Sequence, residues 1–153
     1  MEKKDNYELL TEIINIFKLY PNVFPGGYYR FLRGRLNDKI LKNELIYKDG
    51  VVLTWTKYKR KTKITPTILI FKNEIKINQL VNKNQGNGMA KKIFQEFLNK
   101  HQTTFYLDVK KNNKRAIDFY KKNNFAIVGE KKFGLMKIPG LVMKREIQPK
   151  TFL

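Results

Sequence analysis

The sequence predicts a mixed α/β domain, a sheet flanked by helices, and three observations carry that expectation. Several segments repeat apolar residues with a helical period. Shorter segments between them are apolar or alternating, and turn residues bound them. The two kinds interleave along 153 residues without an internal repeat, a low-complexity stretch or a linker. A chain of this length buries a core of its own, so residues 1–153 are expected to form one domain.

The first helix is expected over residues 7–20. Leu9, Leu10, Ile13, Ile14, Phe17 and Tyr20 share one face there, and Pro21 stops the run. Pro25-Gly26-Gly27 reads as a loop. Tyr28 to Leu36 reads as a short helix, with Tyr28, Phe31, Leu32 and Leu36 inward and Arg30, Arg33 and Arg35 outward. Residues 41–47 and 51–58 read as strands around Asp49-Gly50, a hairpin dipeptide. Residues 67–71 and 75–81 read as strands separated by Lys72-Asn73-Glu74. A glycine loop then opens a helix, because Ala90, Ile93, Phe94, Phe97 and Leu98 fall on one helical face after Gly88. A strand at 104–109, a helix at 113–123, strands at 125–132 and near 140–146, and a tail over 147–153 complete the order ααββββαβαββ.

The glycine loop carries chemistry. Gly86 and Gly88 have no Cβ, so an anion can approach the backbone closely. The first-turn N–H groups of the helix lack partners, and the helix dipole favours negative charge. Together these make a pyrophosphate cradle. No Gly-Lys-Ser/Thr follows, which excludes a nucleotide P-loop, and a dinucleotide fingerprint lacks its third glycine.

The spacing Gln85-x-x-Gly88-x-Ala90 ahead of an apolar helix resembles the acetyl-CoA loop of the GCN5-related N-acetyltransferase (GNAT) superfamily. A second segment resembles the later half of that domain: Val109, Asn113, Ala116, the Phe119-Tyr120 pair and Phe125. Asn124 stands where the family has glycine, and asparagine also tolerates the left-handed conformation. The resemblance is specific over about residues 76–145.

The resemblance implies a twisted, mostly antiparallel mixed sheet with a central splay. Two neighbouring parallel strands, here 75–81 and 104–109, would separate and take the pantetheine arm. It implies acetyl-CoA, or another acyl-CoA, as cofactor and direct attack by a primary amine in a ternary complex. Backbone N–H groups of Gln85, Gly86, Asn87, Gly88, Met89, Ala90 and Lys91 would hold the pyrophosphate. Amides near Leu80 and Val81 would bond the pantetheine and polarise the thioester carbonyl. Asn113, with Ala116 in the same motif, would meet the cofactor arm. Tyr120 would serve the departing sulfur, since a phenol keeps its proton at neutral pH. By residue type alone, Tyr120 on a helix face is more often a core aromatic, and Asn113 reads as a helix N-cap. Glu74 is the catalytic candidate for general base, ahead of the acetyl-bearing strand, and Glu44 and Asp49 are alternatives; a strand-end glutamate is otherwise simply solvated. His101 reads as a surface residue at the end of the cofactor helix.

Composition narrows the remaining classes. The absence of cysteine excludes disulfides, thiolate zinc sites and a thiol nucleophile. No His/Asp/Glu cluster suggests a metal. No apolar run approaches the roughly 18 residues that span a bilayer, and no apolar signal core follows the N-terminus. A cytoplasmic protein without membrane contact is expected, as monomer or homodimer. The formal charge is +19, and it is uneven. Residues 1–50 carry 9 basic and 7 acidic side chains, residues 51–100 carry 11 and 2, and residues 101–153 carry 12 and 4. Such a field attracts polyanions; it also fits lysines that are merely solvated. Tyr29, Arg30 and Arg33 interleave aromatic and basic character, as do Trp55, Lys57, Lys59 and Arg60. Exposed, they would stack on bases and pair with phosphates, which points to an acceptor amine on DNA or aminoacyl-tRNA. Buried on one side, they are an ordinary amphipathic surface. A protein or small-molecule amine, and a basic nucleic-acid-binding module without catalysis, stand as alternatives.

Overall fold

The computed structural model describes residues 5–149. The expected tail therefore lies outside the described residues from position 150 onward, and residues 147–149 have no regular structure. Two compact units divide the chain: residues up to 55 with 79–94, and residues 56–78 with those from 95 on.

The first unit begins with helix α1 (Asn6–Phe17), whose N-cap Asp5 accepts the Glu8 N–H at 2.7 Å. The helix ends at Phe17, three residues before Tyr20, and the chain tightens ahead of Pro21, with Leu19 and Tyr20 giving their N–H groups to Ile16 and Phe17 C=O. A 3₁₀ turn (Gly26–Phe31) runs into α2 (Leu32–Leu41). Strands β1 (Leu45–Lys48) and β2 (Val51–Lys57) form the expected hairpin, with Lys48 opposite Val51. Asp49 (φ +52°) and Gly50 (φ +77°) are both left-handed, as a two-residue turn matching strand twist requires. Residues 41–44, expected as strand, are instead the end of α2 and its left-handed cap at Asn43 (φ +55°). The order of strands in this unit is β1, β2 and the C-terminal half of β5 (Ile75–Asn82). Its core gathers Leu10, Ile13, Ile16, Phe17, Leu32, Leu36, Val52 and Val81. Each such side chain contributes about 1.5–3 kcal/mol by leaving water. Phe31, expected inward, is 64% exposed, because the 3₁₀ turn advances 120° per residue and shifts the phase of its face.

The second unit holds a two-stranded sheet, of which the sequence reading expected one strand, 67–71, and missed the other. Strand β3 (Thr62–Thr65) pairs antiparallel with β4 (Ile68–Ile70). Its main sheet runs from the N-terminal half of β5 through β6 (Phe105–Lys110) and β8 (Ile138–Arg145) to β7 (Ala126–Phe133). Only β5 and β6 are parallel among the registered pairs. Their ladder joins Ile75, Lys76 and Ile77 to Phe105, Tyr106 and Leu107, and goes no further, although β5 continues to Asn82 and β6 to Lys110. Helices α3 (Met89–Lys100) and α4 (Lys114–Lys122) complete the element order. Among the described residues, no helix is long and apolar enough to cross a membrane.

Candidate active site

The loop between β5 and α3, residues 83–88, carries the motif's glycines and leads into a helix, as expected. Gly86 (φ +85°) and Gly88 (φ +80°) are both left-handed. A Cβ built at either position meets no heavy atom within 4 Å, so the backbone faces open space. The first helical bond of α3 runs from Lys92 N–H to Gly88 C=O at 3.1 Å. The amides ahead of Lys92 thus have no helical partner. Met89, expected among the anion donors, gives its N–H to Asn87 Oδ1 at 3.0 Å. The loop caps its own helix at that point, and the first-turn N–H groups of Ala90 and Lys91 remain for a ligand. Ile93 and Phe94 anchor the helix start by burial. On β5, Val81 is buried and Leu80 half-buried.

Sequence reasoning missed Asn82. It is 8% exposed at the end of β5, and its Oδ1 accepts the Asn84 N–H at 3.0 Å. Its Nδ2 donates to Asn87 Oδ1, also at 3.0 Å. An asparagine bonding its own backbone two residues on is a recognised turn signal, and that was the clue available.

In the second unit, Asn113 caps α4 by accepting the Ala116 N–H at 3.2 Å, which leaves its amide N–H groups as donors. Tyr120 lies edge-on to Phe119 (5.5 Å) and Phe125 (5.8 Å). Burial pushes its hydroxyl pKa well above the ordinary phenol value, so the proton stays on Oη. Asn124 is left-handed (φ +69°), the conformation its replacement of glycine demands.

No protein-family model matches the sequence, and no curated protein matches it. Solved structures do. Ard1 from Thermoplasma volcanium matches with a TM-score of 0.68 at 16% identity, over 92% of this chain and 94% of its own. Aminoglycoside 6′-acetyltransferase type Ii matches with a TM-score of 0.66 at 14% identity, over 98% and 97%. Naa20 from Chaetomium thermophilum, in complex with a bisubstrate analogue, matches with a TM-score of 0.63 at 12% identity, over 75% and 73%.

The chain has the GNAT fold. At these identities the likeness is one of fold, and residues 85–90, whose spacing resembles the GNAT cofactor loop, cover the end of the β5–α3 loop and the first two residues of α3.

Other expected site residues have local duties within this GNAT fold. Glu74, half-buried, accepts the Phe71 N–H at 2.7 Å and closes the turn that begins β5. Trp55 is only 7% exposed, since β2 is buried from Val51 through Trp55, so it offers no face to a base. Arg33 lies over the Tyr7 ring (4.4 Å) and donates to Thr11 Oγ1 at 2.9 Å. Arg30 lies over Phe31 at 5.2 Å. Tyr29 is half-buried. The first interleaved segment is therefore engaged with its own unit. Lys57, Lys59 and Arg60 are exposed in the second unit. Among the described residues, no cluster of three His, Cys, Asp or Glu could hold a metal ion.

Proposed function

We propose that the protein is an acyl-CoA-dependent N-acyltransferase acting on a primary amine, with acetyl as the acyl group. One observation carries the reading: in a GNAT fold, the open left-handed Gly86 and Gly88 sit directly before the first turn of α3, where the N–H groups of Ala90 and Lys91 have no helical partner. The amides from Gln85 to Lys91, Met89 excepted, would bind the pyrophosphate, with Lys83, Lys91 and Lys92 exposed around them. Backbone groups at Leu80 and Val81 would hold the pantetheine arm and polarise the acyl carbonyl. Asn113 would donate an amide N–H to the same arm. When bound, the cofactor supplies an activated thioester. The amine would form the C–N bond as the C–S bond breaks, its surplus proton would pass to water, and Tyr120 Oη would keep its own proton and donate a hydrogen bond to the departing thiolate, which takes its proton from water. Glu74 is proposed as base only in its deprotonated form and only if it leaves the Phe71 amide; an amine arriving already neutral needs no such residue.

Purified protein incubated with acetyl-CoA and separate panels of peptide, polyamine and nucleic-acid amines should release free thiol with at least one panel. Binding of acetyl-CoA without thiol release from any of them rejects the transferase reading. A nucleic-acid acceptor is the second reading. It is favoured by the exposed ridge of Lys59, Arg60, Lys61 and Lys63. Neutralising those four should flatten the salt dependence of nucleic-acid binding, and an unchanged slope rejects it.

A further inference from the structure

Asn82 and Asn87 fasten the cofactor loop from within. One oxygen, Asn87 Oδ1, accepts both the Met89 N–H and Asn82 Nδ2 at 3.0 Å. From the position before Gly88, whose C=O accepts the first helical bond, it holds the first N–H of α3 and ties the loop to the end of β5 at once. Both groups facing that oxygen are donors, so a carboxylate would accept them at least as well. Aspartate there would also add favourable charge at the positive end of the dipole. Stability alone therefore favours aspartate at position 87, and α3 has no acidic residue in its first turn either. The chain carries asparagine beside the amides of Ala90 and Lys91. From this we infer that Asn87 is a positioning residue held neutral for a polyanionic ligand. The Asn82–Asn87 pair preforms the loop, and the neutral cap leaves the positive helix end for the phosphates.

The inference rests on the acyl-CoA site proposed above and adds the residue that sets its preference for negative charge. Its test compares Asn87→Asp, Asn87→Ser and Asn87→Ala with the parent. Free coenzyme A is titrated by calorimetry at low and high salt, and the ligand-free proteins are melted. Asn87→Asp is expected to melt at or above the parent yet bind coenzyme A roughly tenfold or more weakly at low salt. That deficit should shrink at high salt. Asn87→Ser keeps a neutral acceptor and should bind close to the parent. Asn87→Ala should melt lower, with an affinity deficit that salt does not change. An Asn87→Asp protein that binds like the parent overturns the inference, as does one whose melting temperature and affinity fall together. A parent that does not bind coenzyme A rejects the proposed site itself; a binding parent beside an unaffected Asn87→Asp protein rejects the inference alone.

Discussion

Gly88→Val separates the fold of the loop from its use. Gly88 stands at φ +80° with nothing within 4 Å of a Cβ, so the substitution meets no steric wall in the ligand-free protein. Its cost to the fold is backbone strain, about 1–2 kcal/mol for an L residue in the left-handed region. For a chain of this size that lowers the melting temperature by about 2–8 °C. The cost to the ligand is larger. The isopropyl group fills the open side of the loop, and a backbone that relaxes toward negative φ turns the amides of Ala90 and Lys91 away from the cradle. Coenzyme A affinity should fall by about 100-fold or more, some 2.7 kcal/mol. Calorimetry reads the affinity, and thermal denaturation of the same samples shows how much of the loss is unfolding. A Gly88→Val protein that stays folded and binds coenzyme A like the parent refutes the cradle.

Tyr120→Phe keeps both edge-on ring contacts, so stability should change by less than about 1 kcal/mol. Its kcat should fall about 100-fold with cofactor affinity unchanged; unchanged kcat makes Tyr120 a core aromatic only. His101 has its pKa lowered by burial, and further by Lys100 and Lys57. The unfolded chain therefore binds that proton more tightly, and stability should be lost as pH falls below about 6.5. His101→Gln should flatten this part of the melting profile, and a constant difference between the two proteins across that range argues against it. A Cβ at Gly140 would stand 2.0 Å from the Phe133 ring. Gly140→Ala should cost about 1–3 kcal/mol in denaturant unfolding, and Phe133→Ala should relieve most of it; additive losses mean the two do not touch.

The shape of the glycine loop was legible because everything it needs is local: two glycines, a helical face starting at Ala90, and a spacing. The Asp49-Gly50 hairpin was legible for the same reason, since both residues take the left-handed conformation that their types favour. Strand β3 was not, because Thr62–Thr65 has one apolar residue, Ile64, directly after a basic stretch that ends at Lys63. Its partner β4 supplies the pattern only after pairing. Phe31 failed because one helical period was laid over Tyr28 to Leu36, whereas the chain changes from 3₁₀ to α at Leu32. Trp55 looked like a stacking platform from its basic neighbours. Its exposure depended on β2 being covered on both faces, a property of partners distant in sequence. The internal bonds of Asn82, and the engagement of Arg33 with Tyr7 and Thr11, are side-chain choices that spacing does not encode.

The central claim is a formed acyl-CoA site at the start of α3, and titration of nucleic-acid-free protein with acetyl-CoA at two salt concentrations tests it most directly. The account expects saturable binding at one site per chain that persists at the higher salt, because backbone amides and a fixed loop hold the ligand there. Binding that vanishes with salt, or never saturates, would contradict it and leave the +19 charge collecting anions without a site.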